Sequence, residues 1–164
     1  KFEGVTLLDR SANLISLFTK QLHVSVRPDQ IDEPNRAKYP LIVDQENDNG
    51  PIAGILSAGN FERENAWLVI ACDMPYLDKE SIEQLVLHRN MNKMATVFES
   101  PDGSGIEPLC AIYETVFFEE VRSNPQLIHN SSPRETLAEM DIEIIKALNP
   151  RALYSANSSS DELG

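Results

Sequence analysis

The chain has few cysteines and no long apolar run. Its two cysteines, Cys72 and Cys110, lie apart inside apolar stretches. This favours free thiols in a reducing compartment over a disulfide framework or a zinc site, with one buried disulfide as the alternative. The longest apolar run, residues 67–72, has the length of a strand and not of a membrane span. The first residues show no signal-peptide pattern, so we expect a cytoplasmic protein without membrane contact.

Basic residues are also scarce, with 14 Lys and Arg against 26 Asp and Glu, for a net charge of −12 over 164 residues. Because the basic residues do not cluster, binding to nucleic acid or to an anionic membrane is disfavoured. A phosphate-bearing substrate would need a divalent cation, a helix N-terminus or a few placed Lys or Arg groups to offset the repulsion. The length fits a single domain over residues 1–164.

Several motifs of well-known chemistry are missing. The three histidines are far apart and match no metal-ligand spacing. The sequence contains no Gly-x-x-x-x-Gly-Lys-Ser/Thr or Gly-x-Gly-x-x-Gly phosphate loop and no Gly-x-Ser-x-Gly nucleophile elbow. Ser132 is followed by Pro133 and, three residues on, by Glu135. This pattern predicts a capped helix start and not a nucleophile.

Short apolar stretches alternate with helical patterns along most of the chain. Strands are predicted over 22–26, 40–43, 67–72, 94–98, 108–113 and 142–146, and helices within 6–21, 52–59, 79–89, 115–122 and from 133 onward. The alternation predicts an α/β protein whose mostly parallel sheet carries helices on both faces. The continuous apolar run at 67–72 is typical of a strand buried on both faces of such a sheet.

Residues that directly follow strands are the first candidates for a site, because ligands of such sheets lie beyond the carboxyl ends of the strands. Asp73 follows the most apolar strand, and Pro75 forces a turn soon afterwards. One carboxylate there would suffice for a Mg²⁺–nucleotide complex, since Mg²⁺ takes one or two carboxylates with phosphate oxygens and water. The local pattern fits a turn-initiating Asp equally well. Asp44 follows a shorter strand, where a turn role is the better interpretation.

Gly50 and Pro51 precede a predicted helix. Glycine lets a ligand approach the backbone closely, and the start of a helix offers free N–H groups to an anion. An ordinary junction between loop and helix explains the pair more simply. Pro108 opens a strand, where proline is structurally normal, although a role in shaping a pocket is an alternative.

These stretches together resemble the molybdenum cofactor guanylyltransferases, within the wider molybdopterin nucleotidyltransferase group. Residues 50–58 are similar to that family's Gly-Pro-Leu-Ala-Gly loop and helix, and residues 67–75 to its metal-binding strand. Residues 107–113 are similar to its Pro-Leu strand, and residues 156–162 to its C-terminal Asn-x-Asn-Thr segment. The order and spacing match over nearly the whole chain.

The resemblance implies a three-layer, Rossmann-like nucleotidyltransferase fold with one antiparallel strand in a mostly parallel sheet. It also implies transfer of GMP from GTP to molybdopterin, release of pyrophosphate, and contact with other molybdenum-cofactor proteins. By position, Asp73 would be the catalytic residue that holds Mg²⁺ and the triphosphate. The nucleotide side would be lined by Asp44, Gly50, Pro51, Ala53 and Gly54, and the acceptor side by Pro108 and Asn157.

The sequence departs from the family pattern in three places. The family's opening strand, a central strand of its sheet, and the Gly-rich loop that cradles the triphosphate have no counterpart, so we expect two exposed strand edges. We favour an incomplete sequence as the explanation; a chain that truly lacks the segment is expected to show little transferase activity. Ser25 and Ser155 stand where the family has Asn. Arg27 and Lys1 are candidate cations for the triphosphate.

Two other functions stay open. One is a related nucleotidyltransferase that uses CTP or a sugar phosphate. The other is a non-catalytic domain that binds a nucleotide or a partner protein, and the missing Gly-rich loop supports it.

Overall fold

The computed structural model describes residues 4–45, 50–130 and 132–156. Its helices are α1 (Leu7–Ile15), α2 (Pro34–Ala37), α3 (Pro51–Phe61), α4 (Lys79–Leu87), α5 (Thr115–Ser123) and α6 (Pro133–Ala138). Its strands are β1 (Val24–Val26), β2 (Leu41–Val43), β3 (Trp67–Ile70), β4 (Ala95–Glu99), β5 (Ile106–Tyr113) and β6 (Glu143–Ile145). Short 3₁₀ turns cover Pro28–Gln30, Pro125–Leu127 and Pro150–Leu153. None of these helices is long and apolar enough to cross a membrane.

The strands form two sheets. One is the parallel pair β1 and β2, and the other has the order β3-β5-β4-β6. In the larger sheet β5 is antiparallel to β3 and β4, whereas β4 and β6 are parallel. The predicted α/β class and its single antiparallel strand are therefore confirmed. Within the described residues β1 pairs only with β2 and β3 only with β5, so each of these strands has one edge without a strand partner.

The apolar run at 67–72 has different neighbours from those predicted. Its strand is shorter and half-buried, and it pairs with the antiparallel β5 instead of lying between parallel strands. The run reflects burial by helices on both faces: Leu68 packs with the cluster around α4, and Val69 with the opposite cluster around α5. Cys72 consequently lies past the strand end and is exposed, whereas Cys110 is buried, and both are free thiols. Burial raises the pKa of the Cys110 thiol.

Apolar clusters cover the two faces of the larger sheet. One is centred on the ring of Phe117, which meets those of Tyr113 and Phe118 edge to face at centroid distances of 5.0 and 5.2 Å. It packs α3, α5 and α6 against the strands. The second cluster packs α4 through the fully buried Ile82 and Leu85. The three-layer arrangement follows from these two clusters.

Capping side chains fix two helix starts, and the one predicted at Ser132 is confirmed. The Asp78 carboxylate accepts a hydrogen bond of 2.8 Å from the Ser81 N–H at the start of α4. The Ser132 hydroxyl accepts one of 3.2 Å from the Glu135 N–H at the start of α6. Each cap satisfies a backbone donor that the helix leaves unpaired, and this is why the two helices begin there.

The helix predicted within residues 6–21 ends at Ile15, and its adjacent residues Asp9 and Arg10 hold the two sheets together. Arg10 donates through Nε to the Pro75 carbonyl at 2.8 Å and through Nη2 to the Leu77 carbonyl at 3.0 Å. These bonds attach α1 to the turn that follows β3.

On the other side, the Asp9 carboxylate attaches α1 to the segment before β2. It accepts a hydrogen bond from the Tyr39 hydroxyl at 2.6 Å, pairs with the Lys38 ammonium, and also accepts from the Thr6 hydroxyl. These partners hold the pKa of Asp9 well below its ordinary value, Lys38 contributing most. The ionised carboxylate therefore stabilises the contact between the sheets.

We predict that Asp9→Asn reduces stability more at neutral than at acid pH. A depressed folded-state pKa contributes stability above the unfolded-state pKa of about 4, and this contribution is lost as the pH falls toward the folded-state pKa. Urea unfolding near pH 7 and near pH 3 checks this, with Asp32→Asn on an exposed turn as the control for removing one charge. Equal losses at both pH values would contradict it.

Candidate active site

A cavity of about 520 Å³ lies at the carboxyl end of β3, where sequence reasoning placed the site. Asp73 lines it, together with Pro51 from the first turn of α3 and Pro108 from β5. The fold thus brings three of the predicted site residues to one cavity. Their roles toward a nucleotide and an acceptor stay predictions.

Asp44 and Gly54 form a second group, close to α3 but not among the residues that line this cavity. The Ser25 hydroxyl donates a hydrogen bond of 2.6 Å to Asp44 Oδ1. A side chain at Gly54 would collide with that hydroxyl and would lie 3.5 Å from Asp44 Oδ1. Glycine therefore lets α3 approach the ends of β1 and β2, and Ser25 orients the Asp44 carboxylate.

The N-terminus of α3 lies between the two groups. Gly50 has a φ of 84°, in the left-handed region that favours glycine, and Pro51 occupies the first helical position. The buried Ala53 donates its N–H to the Gly50 carbonyl at 3.3 Å. The dipole of this helix makes its N-terminal end favourable for an anion.

A bulge in β5 forms one wall of the cavity. Val97 pairs with Ala111, but the next residue of β4, Phe98, pairs with Glu107. Residues 108–110 therefore have no counterpart in β4. Bulges of this kind bend a strand and redirect its side chains, and here the redirected segment faces the cavity.

Two hydrogen bonds hold the bulge. The fully buried Tyr113 hydroxyl donates to the Pro108 carbonyl at 2.8 Å, and the Leu109 N–H donates to Glu107 Oε1 at 3.0 Å. Burial raises the pKa of Tyr113, so its hydroxyl remains a donor at neutral pH.

Three carboxylates and one guanidinium dominate the charge of the cavity. Asp73, Asp102 and Glu107 line it, and Arg134 is the only Lys or Arg among its described lining residues. Burial raises the pKa of Glu107, the charges of Asp73 and Asp102 raise it further, and Arg134 opposes them. Hydrogen bonds from Ser104 and Ser100 hold the pKa of Asp102 well below its ordinary value.

Sequence reasoning missed Glu107, Asp102 and Arg134 as site residues. Arg134 donates to the Ser104 hydroxyl at 2.8 Å, and this bond joins α6 to the turn-rich loop between β4 and β5. The capping pattern at Ser132 predicted the helix whose first turn carries Arg134. No local pattern showed that this turn would lie beside the cavity.

The remaining predicted residues lie elsewhere or outside the described part. Arg27 is exposed, pairs with Asp29 at 3.2 Å and does not line the cavity, so it has no contact there that supports a role toward the triphosphate. Asn157 and Lys1 lie outside the described residues. The neighbouring Ala156 donates its N–H to the Asp73 carbonyl at 2.6 Å, and Ser155 lines the cavity.

The donor set of the cavity suits a hard cation. Among the described residues no group of three or more His, Cys, Asp or Glu side chains forms a complete metal cage. Asp73 offers a carboxylate with Glu107 nearby, and Mg²⁺ characteristically combines one or two carboxylates with water and substrate phosphates. The residues present therefore fit a Mg²⁺ ion that arrives with a nucleotide.

This fold, with its cavity at the carboxyl end of β3, is that of the Rossmann-like nucleotidyltransferases. It matches the structure of molybdopterin-guanine dinucleotide biosynthesis protein A from Archaeoglobus fulgidus with a TM-score of 0.73, at 20% identity, over 99% of this chain and 84% of that one. It matches 2-C-methyl-D-erythritol 4-phosphate cytidylyltransferase from Thermus thermophilus with a TM-score of 0.67, at 12% identity, over 99% and 87%.

Sequence comparison identifies the family. The model of the MobA-like NTP transferase domain matches residues 1–143, so the chain belongs to that family. It is 30% identical over 149 residues to a molybdenum cofactor biosynthesis bifunctional protein of Synechocystis, covering 91% of this chain and 43% of the relative. A probable molybdenum cofactor guanylyltransferase of Natronomonas pharaonis is 34% identical over 114 residues, covering 67% and 55%. The chain thus spans about half the length of these relatives.

We predict that Tyr113→Phe destabilises the fold by about 1–3 kcal/mol, because it leaves the buried Pro108 carbonyl without a donor. Tyr39→Phe is the matched control: it removes one hydroxyl from Asp9, which keeps its bonds to Thr6 and Lys38, so a loss below about 1 kcal/mol is expected. Urea unfolding measures both variants, and equal losses would show that the bond to Pro108 does not hold the bulge.

Proposed function

We propose that this domain transfers GMP from GTP to molybdopterin and releases pyrophosphate. The observation that carries the proposal is the position of Asp73, which lines a cavity together with the start of α3. Membership in the MobA-like family supports nucleotidyl transfer. The names of the relatives, which include molybdenum cofactor guanylyltransferases, support this nucleotide and this acceptor.

In the proposed reaction an oxygen of the molybdopterin phosphate attacks the α-phosphorus of GTP, and the bond to the β-phosphate oxygen breaks. Such a step depends on in-line positioning and charge neutralisation more than on an acid–base pair. Asp73 would hold Mg²⁺, which would neutralise charge on the triphosphate when bound. Glu107 lies close enough to Asp73 for the two charges to interact, and would add negative potential beside the ion.

The nucleotide side would be built around α3. The Asp44 carboxylate, oriented by Ser25, lies beside Gly54 and would accept hydrogen bonds from N–H or O–H groups of the nucleoside. The N-terminal turn of α3, at Gly50, would face the phosphates. Gly54 is required for this arrangement, because any side chain there displaces Ser25.

The acceptor side would lie across the cavity, at the bulge and α6. Pro108 and Leu109 contribute its apolar wall. Arg134 would meet the acceptor phosphate, since a guanidinium binds phosphate well and its hydrogen-bond partner here is the neutral Ser104 hydroxyl. Asn157, which lies outside the described residues, stays part of the proposal through the resemblance alone.

Two alternatives remain to be separated by experiment: a transferase that uses CTP or a sugar phosphate, and a nucleotide-binding domain without turnover. A cytoplasmic location and contact with other molybdenum-cofactor proteins are part of the main proposal. The cytidylyltransferase among the structural neighbours shares the fold at 12% identity and leaves the nucleotide undecided.

We predict that Asp73→Asn weakens GTP binding in the presence of Mg²⁺ at least about tenfold, because the ion loses its carboxylate. In EDTA the variant should bind GTP no more weakly than the wild type, since the same change then removes a repulsion. Calorimetry measures both conditions. Glu83→Gln, which removes an exposed carboxylate of α4, is the matched control and should change neither affinity.

The same calorimetry with GTP and CTP in parallel separates the nucleotides, and tighter binding of CTP would overturn the assignment of guanine. A loss of affinity in Asp73→Asn that is independent of Mg²⁺ would overturn the proposed ion site. Formation of pyrophosphate from GTP and molybdopterin separates a transferase from a binding domain.

A further inference from the structure

The segment over residues 149–156 is attached to the start of α4 and to the turn that follows β3. The Asn149 amide donates a hydrogen bond of 2.8 Å to the Asp78 carboxylate. The Arg151 guanidinium lies over the Tyr76 ring, at 4.4 Å from the ring centroid. These two contacts fix the course of the segment before it reaches the cavity of the candidate site.

The rest of this segment is held as firmly. Ala152 and Leu153 are buried in the apolar cluster around α4. The Ala156 N–H donates to the Asp73 carbonyl at 2.6 Å. Tyr154 lies between these two attachments, so its backbone has a defined position beside the site. A side chain on such a rigid support loses little conformational freedom when it binds a ligand.

Tyr154 is the only aromatic residue among the described residues that line the cavity. Pro108 and Leu109 line the same cavity from the bulge of β5, and its volume of about 520 Å³ is ordinary for a small-molecule site. Aromatic side chains bind planar heterocycles by stacking, and apolar neighbours remove the ring from water. This part of the cavity therefore suits a planar ring better than a sugar or a flexible chain.

The proposed reaction brings two planar rings to the domain, the base of the nucleotide and the pterin of the acceptor. Asp44 and Gly54, around which we place the nucleoside, are not among the residues that line this cavity. Arg134, which we place at the acceptor phosphate, lines it together with Tyr154. The ring that meets Tyr154 is therefore assigned to the acceptor.

We propose that Tyr154 is a specificity-determining residue, which stacks on the pterin ring of the acceptor while Arg134 binds the acceptor phosphate. The inference rests on the proposed function, because that function names the acceptor. Tyr154 favours a planar ring system and positions it, and takes no part in bond formation or cleavage. Its substitution is expected to change the affinity for the acceptor and not the affinity for GTP.

The test uses the full 164-residue chain and pterin-6-ylmethyl phosphate, a fluorescent pterin that carries a phosphate group. Fluorescence titration measures its affinity. We expect Tyr154→Ala to weaken pterin binding about tenfold, because the loss of an aromatic platform under a planar base has an effect of this size. Tyr154→Phe keeps the platform and should remain within about threefold of the wild type. Both variants should bind GTP with Mg²⁺ as the wild type does.

Two controls separate the ring from other contributions. Inorganic phosphate, used as a competitor, should bind equally well to the wild type and to Tyr154→Ala, because Arg134 is unchanged. Leu148→Ala, which shortens a side chain that is 87% exposed in the preceding loop, should leave pterin binding unchanged. If Tyr154→Ala fails to fold, nuclear Overhauser effects between the Tyr154 ring and the C7 proton of the bound pterin decide the question on the wild-type chain.

The inference is wrong if the wild type and Tyr154→Ala bind the pterin equally well, or if the wild type does not bind it. Weaker GTP binding by Tyr154→Ala, with unchanged pterin binding, would assign the residue to the nucleobase and would also contradict it. Failure of the proposed function has a different signature. The chain would then bind the pterin through Tyr154 and yet form no pyrophosphate from GTP and molybdopterin.

Discussion

The arrangement of this domain depends on α1, whose adjacent residues Asp9 and Arg10 connect the two sheets. Asp9 binds the segment before β2, and Arg10 binds two carbonyls in the turn after β3. These carbonyls follow Asp73 by two and four residues, so the same contact that joins the sheets also fixes the backbone beside the candidate site. Within the described residues no backbone pairing links β1 to β3. The position of one sheet relative to the other therefore depends on these side-chain contacts and on the packing of α3.

The charge of the site follows from the same geometry. The cavity collects Asp73, Asp102 and Glu107, whereas Arg134 alone among its described lining residues is cationic. In a chain of net charge −12, an anionic substrate would meet repulsion there. A divalent cation and the N-terminus of α3 would offset it, which is why the proposal depends on a metal–nucleotide complex and not on the free nucleotide.

Local sequence signals were sufficient for parts of the fold and of the site. The caps at Asp78 and Ser132, and the position of Asp73 after an apolar strand, are set by neighbours along the chain and were predictable. The antiparallel partner of β3 and the bulge at 108–110 depend on strand register over long distances, which short patterns do not encode. Glu107 and Arg134 reach the cavity only through that register and the docking of α6, so sequence reasoning missed them.

The central claim is that Asp73 holds a divalent ion together with a nucleotide in the cavity beside α3. Replacing Mg²⁺ by paramagnetic Mn²⁺ in the presence of GTP, and recording which backbone amide signals broaden, tests the claim without requiring turnover. The account predicts that broadening is centred on residues 72–74 and extends to 107–109 and to the start of α3. Broadening centred away from the cavity, or no broadening that depends on GTP, would contradict it.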